Sequence, residues 1–182
     1  VAITPDSKDW TWVMERACPE CGYDPATVRR TDVGDRIARS AVDWDTVLAR
    51  PDAGVRPEEG VWSALEYGCH LRDVYRIMNA RLHLMLGYDE AAADGARFAN
   101  WDQDATAIED DYAAQDAAEV ARELASAAAV FADSYRCVRE DQWKRRGLRS
   151  NGSAFTVDSF ARYALHDAEH HRWDVGLPTA LR

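Results

Sequence analysis

The sequence predicts an all-α protein, an antiparallel four-helix bundle over residues 32–182 with an irregular N-terminal segment over residues 1–31. Three observations carry this expectation. Apolar residues recur every three or four positions in several long stretches. Capping residues, Pro and Gly punctuate the chain between those stretches. No stretch keeps the two-residue alternation of half-buried strands. At 182 residues the chain suits one domain with a substantial core, and no repeat or linker divides it.

Residues 1–31 read as irregular, with prolines at 5, 19 and 25 and a Cys18-Pro19-Glu20-Cys21-Gly22 turn. Trp10 and Trp12 predict that this segment packs on the bundle. A first helix is expected from about Asp32 to Ala49, with Val33, Ile37, Ala41, Trp44 and Leu48 forming one buried stripe. Pro51, Gly54 and Pro57 then break the chain. Ser63 and Glu66 have the spacing of a capping box. Tyr67, Leu71, Val74, Met78, Leu82 and Met85 carry a second helix to about Leu86, where Gly87 is expected to stop it in a left-handed conformation. Residues 88–114 are acidic and alanine-rich, with a short helix expected near Asp104–Ala113 and Trp101 as its anchor. Asp116 and Glu119 repeat the capping pattern before a third long helix, Val120 to about Val138. A polar loop follows through Lys144-Arg145-Arg146-Gly147 and Asn151-Gly152. Thr156 then caps a fourth helix from Val157 to about Val175, which Gly176 and Pro178 end. In such bundles, sites are built from side chains that face the core.

Composition narrows the function. A formal charge of -10 repels phosphate backbones and anionic lipid, so neither nucleic acid nor a membrane surface is an expected partner. No apolar run approaches the roughly eighteen residues a membrane span needs. The first residues lack a basic stretch followed by an apolar one, so no secretory signal and a cytoplasmic location are expected. Cys18, Cys21, Cys69 and Cys137 are accordingly expected as reduced thiols.

The chemistry lies in the histidines, of which there are five: His70, His83, His166, His170 and His171. His166 and His170 are four apart on the last helix, so both rings project from one face and one ion can accept a nitrogen from each. Tyr163 and Asp167 share that face, while His171, one residue further round, is expected to be exposed. Two ligands from one turn hold a metal poorly. His70, in the first half of the second helix near its apolar stripe, is the natural third, and His83 fits less well. On spacing alone a solvated helix face accounts for His166, His170 and His171 equally well.

The run Trp62-Ser63-Ala64-Leu65-Glu66-Tyr67-Gly68-Cys69-His70 resembles the start of the second helix in the DinB-like superfamily. His166-Asp167-Ala168-Glu169-His170 resembles that family's His-x-x-x-His on the last helix, and the order and separation of the two segments agree over about residues 33–175. The resemblance implies a DinB/YfiT-like four-helix bundle, commonly dimeric, with an open metal site of three ligands. By position it makes His70, His166 and His170 those ligands. Some members are S-transferases that use a low-molecular-weight thiol such as mycothiol or bacillithiol. It therefore implies a divalent ion (zinc first, nickel or iron as alternatives), a small-molecule thiol and an electrophilic substrate. Three imidazoles would leave an open coordination position and the ion's full charge, which lowers the pKa of a bound thiol or water. A hydrolase that activates water and a non-catalytic metal-binding bundle are the alternatives.

Other features are weighed beside these. Asp73, Asp167 and Asp174 are candidates to orient imidazoles, and Tyr163 is a candidate proton donor, although solvated acidic positions and an ordinary core tyrosine are the first expectation for each. Cys18 and Cys21 have the spacing of half a zinc knuckle without a second pair, so a reduced turn is expected. Trp101, Trp143 and Trp173 are candidate pocket walls. The cluster of Arg139, Lys144, Arg145, Arg146 and Arg149 is a candidate anion receptor or a solvated loop.

Overall fold

The structure is a computed structural model and describes residues 9–87 and 95–180. Pro5 and the start of the acidic stretch 88–114 lie outside the described residues. The elements are α1 (Val33–Ser40), α2 (Trp44–Leu48), α3 (Ala64–Gly87), β1 (Ala96–Phe98), α4 (Gln103–Glu109), α5 (Ala117–Arg136), β2 (Arg146–Arg149), β3 (Ala154–Thr156) and α6 (Val157–Asp174), with short 3-10 turns between some of them. The bundle consists of the α1–α2 pair, α3, α5 and α6. Helix α3 lies along α5 and touches α6, while α1 packs against both α5 and α6. Among the described residues no helix is long and apolar enough to cross a membrane.

The capping signals in the sequence are made as hydrogen bonds. Ser63 N donates to Glu66 Oε2 at 2.8 Å and Glu66 N to Ser63 Oγ at 3.2 Å, so the box that starts α3 is closed in both directions. Arg56 braces the same carboxylate, with its Nε 2.9 Å from Oε2. This fixes the first turn of α3 and hence the height of His70, one turn later. Asp116 Oδ1 accepts from Glu119 N at 2.8 Å to start α5, and Thr156 and Ser159 cap α6 reciprocally.

Three expectations are corrected. The single helix over Asp32–Ala49 is two, α1 and α2, because the chain turns through Asp43 at a left-handed φ of 68°. The carbonyls exposed by that break are taken up by α6, where buried Arg172 donates from Nη1 to the carbonyls of Ser40 and Val42. Helix α3 continues through Gly87, which is not among the described left-handed glycines. The polar loop before α6 is also not structureless. Strands β2 and β3 pair antiparallel around Asn151-Gly152, and β2 pairs parallel with β1, Ala96 opposite Gly147. Gly147 is required there: a Cβ would stand 2.7 Å from the Phe98 ring and 2.9 Å from Met85 Sδ, at the end of α3. The strands are three or four residues long, too short to show alternation in the sequence.

The 3-10 turn Thr11–Met14 of the N-terminal segment packs on α6. Val13, Cys18, Cys21, Tyr23 and Pro25 are buried, and Tyr23 Oη donates to the Arg162 carbonyl at 2.9 Å. On the opposite side of the bundle, Arg72 of α3 forms a buried cluster. It donates to Asp73 from Nε and Nη2 at 2.9 Å each, and to Gln115 and Glu123 from Nη1. Tyr112 donates to the same Asp73 at 2.6 Å. Burial pushes the Asp73 carboxyl up, but the bonds from Arg72 and Tyr112 outweigh it and hold it below the usual carboxylate range. Asp73 thus joins the segment before α5 to α3, accepting hydrogen bonds from Arg72 and Tyr112.

Removing this carboxylate leaves a buried guanidinium short of acceptors. Asp73→Asn is therefore expected to cost about 2 kcal/mol in urea unfolding, whereas Glu123→Gln, on the more exposed arm of the cluster, costs less than about 1 kcal/mol. Equal costs would contradict this assignment.

Candidate metal centre

Helix α6 sets the geometry. Successive residues on a helix differ by 100°, so His166 with His170 and Asp167 with His171 are two i, i+4 pairs aimed in adjacent directions. The structure gives each pair a different neighbour. Asp167 and His171 meet His70 of α3, and His166 and His170 meet Cys18 and Cys21 of the N-terminal segment. Within each group the candidate ligand atoms all lie within 4.8 Å of one another. The three histidines expected to share one ion are thus divided between two clusters. His171 is not exposed but largely buried, and Asp167 lies inside a cluster as a direct neighbour of both rings. His83 stands apart, bonded to Ser134 Oγ at 3.1 Å.

In the first cluster His70 Nε2 is 3.5 Å and His171 Nε2 3.0 Å from Asp167 Oδ1. The other nitrogen of His171, Nδ1, is 2.8 Å from Asp174 Oδ2, which fixes the ring with Nε2 directed at Asp167. His70 is 1% exposed, and its ring lies parallel to that of Trp101, with centroids 5.2 Å apart and 4° between planes. Trp62, 5.0 Å away, closes its other flank. Asp167 and His171, together with His166 and His170 of the other pair, line a cavity of about 320 Å³ whose walls include Trp10, Trp62, Tyr67, Tyr163 and Trp173. Glu20, Asp104 and Asp174 supply its other charged groups, and no Lys or Arg is among the described residues that line it.

In the second cluster Cys18 Sγ is 3.8 Å from His170 Nδ1, and His170 Nε2 is 3.4 Å from Glu20 Oε2. Trp10 covers both imidazoles, with centroids 5.2 Å from His166 and 5.1 Å from His170. Tyr23 meets His166 edge-on at 5.6 Å.

The two clusters differ in charge. Burial lowers His166 to about 4, and it also lowers His70 and His170. For His171 burial acts in the same direction, but the bonds to Asp167 and Asp174 outweigh it and raise the ring to about 9. Asp167 is likewise opposed by burial but held far below the usual carboxylate range by His171 and His70. Burial and the neighbouring Cys18 push the Cys21 thiol up to about 12.

Of the expected walls Trp173 lines the cavity, beside Trp62 and Trp10, whereas Trp101 does not line it and stacks on His70 instead. Trp143 does not, since it stacks on Tyr135 at 5.9 Å. The basic cluster does not line the cavity. Arg145 donates to the Leu86 carbonyl, Arg139 to Asp141, and Arg149 to Ser153 and to Tyr163 Oη. Burial raises the Tyr163 hydroxyl, so it stays a neutral phenol at the cavity wall.

A family model described as the DinB superfamily matches residues 47–175, more than half of the chain. The chain belongs to the DinB superfamily. No curated protein matches it. Among solved structures it is similar to YfiT from Bacillus subtilis, described as a probable metal-dependent hydrolase with an unusual four-helix bundle topology. That similarity has a TM-score of 0.63 at 17% identity and covers 83% of this chain and 89% of YfiT. It establishes the shared bundle fold. The family match begins at Val47 and so leaves out the segment that carries Cys18 and Cys21.

In the metal-free protein the histidines should titrate far apart by NMR, His166 near 4 and His171 near 9. A lowered histidine contributes stability above the unfolded value of about 6.5, and a raised one contributes below it. The stability of the metal-free protein should therefore fall on acidification from about 6.5 towards 4 through His166. It should also fall as pH rises from about 6.5 through 9 on account of His171. Two rings titrating together near 6.5 would contradict the environments described.

Proposed function

We propose that this protein is a metal-dependent thiol S-transferase whose ion is held by His70, Asp167 and His171. The observation that carries the reading is the convergence of His70 Nε2, Asp167 Oδ1 and His171 Nε2 beside an aromatic cavity. The donor set fits a divalent ion. Two imidazoles and a carboxylate suit zinc or iron and leave coordination positions open. Asp174 behind His171 supplies the carboxylate–histidine arrangement that fixes a ligand ring. Compared with three imidazoles, this set moves the expected ligands one residue along α6. A divalent ion bound here would lower the pKa of a thiol or a water molecule towards neutrality.

The residues of the cavity argue for the kind of thiol. Aromatic faces at Trp10, Trp62, Tyr67 and Trp173 suit apolar and sugar surfaces, while Glu20, Asp104 and Asp174 repel anions. An uncharged, sugar-bearing thiol such as mycothiol meets both conditions, whereas a thiol that carries carboxylates fails the second. Transfer would form a bond between the thiol sulfur and the electrophilic carbon as the bond from that carbon to its leaving group breaks; the leaving group departs with the electron pair and the thiol proton passes to solvent. Asp174 holds the His171 ring in place, and the tryptophans limit access of water. Hydrolysis by activated water is the second reading. It is favoured by the carboxylates at the cavity and by the description of YfiT.

Metal-loaded protein is expected to bind mycothiol and to conjugate it to an electrophile, and His171→Ala should abolish both. Thiol-independent cleavage of ester or amide substrates by the same preparation would favour hydrolysis instead. No metal-dependent binding or turnover in either assay would leave a non-catalytic bundle. Asp174→Asn should weaken metal retention at the His70 cluster by about 10–100-fold, read by competition with a chelator.

A further inference from the structure

The geometry points to a second metal site, a closed zinc site made by Cys18, Cys21, His166 and His170, which fastens the N-terminal segment to α6. Four ligand atoms of these residues lie within 4.8 Å of one another. Zinc–sulfur and zinc–nitrogen bonds of about 2.3 and 2.0 Å place tetrahedral sulfur and nitrogen ligands roughly 3.5 Å apart, and Cys18 Sγ stands 3.8 Å from His170 Nδ1. Two thiolates and two imidazoles complete a tetrahedron without water, the composition of structural rather than catalytic zinc.

Two independent observations support a ligand here. His166 is 4% exposed, and its Nε2 is buried with no hydrogen-bond partner in the protein. An orphaned polar atom of that kind costs about 1–3 kcal/mol, which coordination would offset. His170, for its part, has the second shell of a zinc ligand. Glu20 stands 3.4 Å from Nε2, which assigns the proton to that nitrogen and leaves Nδ1 facing the Cys18 sulfur.

The other two thiols do not compete for the role. Cys69 faces the Tyr112 carbonyl and Gln115, and Cys137 is exposed. Binding would release the two cysteine protons and put metal affinity into the docking of a segment with little regular structure. Trp10 and Glu20, which line the cavity of the first site, would be held in position by the same ion.

The site is independent of the catalytic proposal and can fail or stand alone. The experiment is zinc analysis and cobalt exchange on the full chain, purified without a histidine tag. Cobalt-loaded wild type should show the near-ultraviolet charge-transfer band of thiolate–cobalt bonds together with intense tetrahedral bands. His70→Ala and Cys69→Ala should keep that band. Cys18→Ala and Cys21→Ala should each abolish it and lower metal content by about one ion per chain. Since the cysteine variants can fail by misfolding, wild-type zinc protein is also titrated with a mercurial. Zinc release is expected in step with modification of Cys18 and Cys21, mapped by mass spectrometry. A cobalt spectrum without a thiolate band, its loss in Cys69→Ala, or free reaction of both thiols without zinc release would overturn the proposal.

Discussion

Helix α6 buries imidazoles where a bundle would ordinarily bury leucine, and each buried ring nitrogen needs a partner. The rest of the architecture can be understood from that demand. Asp167 and Asp174 hold His171, and His70 reaches Asp167 from α3. Glu20 and Cys18 approach His170 from a segment outside the bundle. Because residues 166 and 167 differ by one step of the helix, the same turn of α6 serves two neighbours at once.

Such a face needs a scaffold that does not shift. The reciprocal cap between Ser63 and Glu66, braced by Arg56, sets where α3 begins, and His70 follows one turn later. Arg172 ties α6 to the broken end of α1, and Glu169 on the same helix accepts from the Ala180 backbone at 2.9 Å. The Arg72–Asp73–Tyr112 cluster holds the segment before α5 against α3. These polar anchors fix the helices that carry the histidines, as is required where rings must be held to a fraction of an ångström.

Much of the fold was legible because its signals are local. Capping pairs three residues apart and stripes of period 3.6 identified α3, α5 and α6 to within a few residues. The break at Asp43 was not, since the stripe from Val33 to Leu48 continues across it and Arg172, which takes up the carbonyls exposed there, is some 130 positions away. The strands were too short to alternate, although Asn151-Gly152 was a readable hairpin signal. At the site, His70, His166 and His170 were expected to form one set, whereas the structure divides them between two groups. A period of four cannot distinguish the pair 166/170 from 167/171, and only the packing of α3 and the N-terminal segment decides which pair each meets. The Cys18–Cys21 spacing was visible as half a site, and its other half lay about 150 residues further along the chain.

The proposed division of α6 between two metal sites is tested most directly by anomalous diffraction from crystals of the metal-loaded protein, measured above and below the metal edge. The account predicts two peaks, one among Cys18, Cys21, His166 and His170 and another among His70, Asp167 and His171. A single peak ligated by His70, His166 and His170 together, with Cys18 and Cys21 uncoordinated, would contradict it.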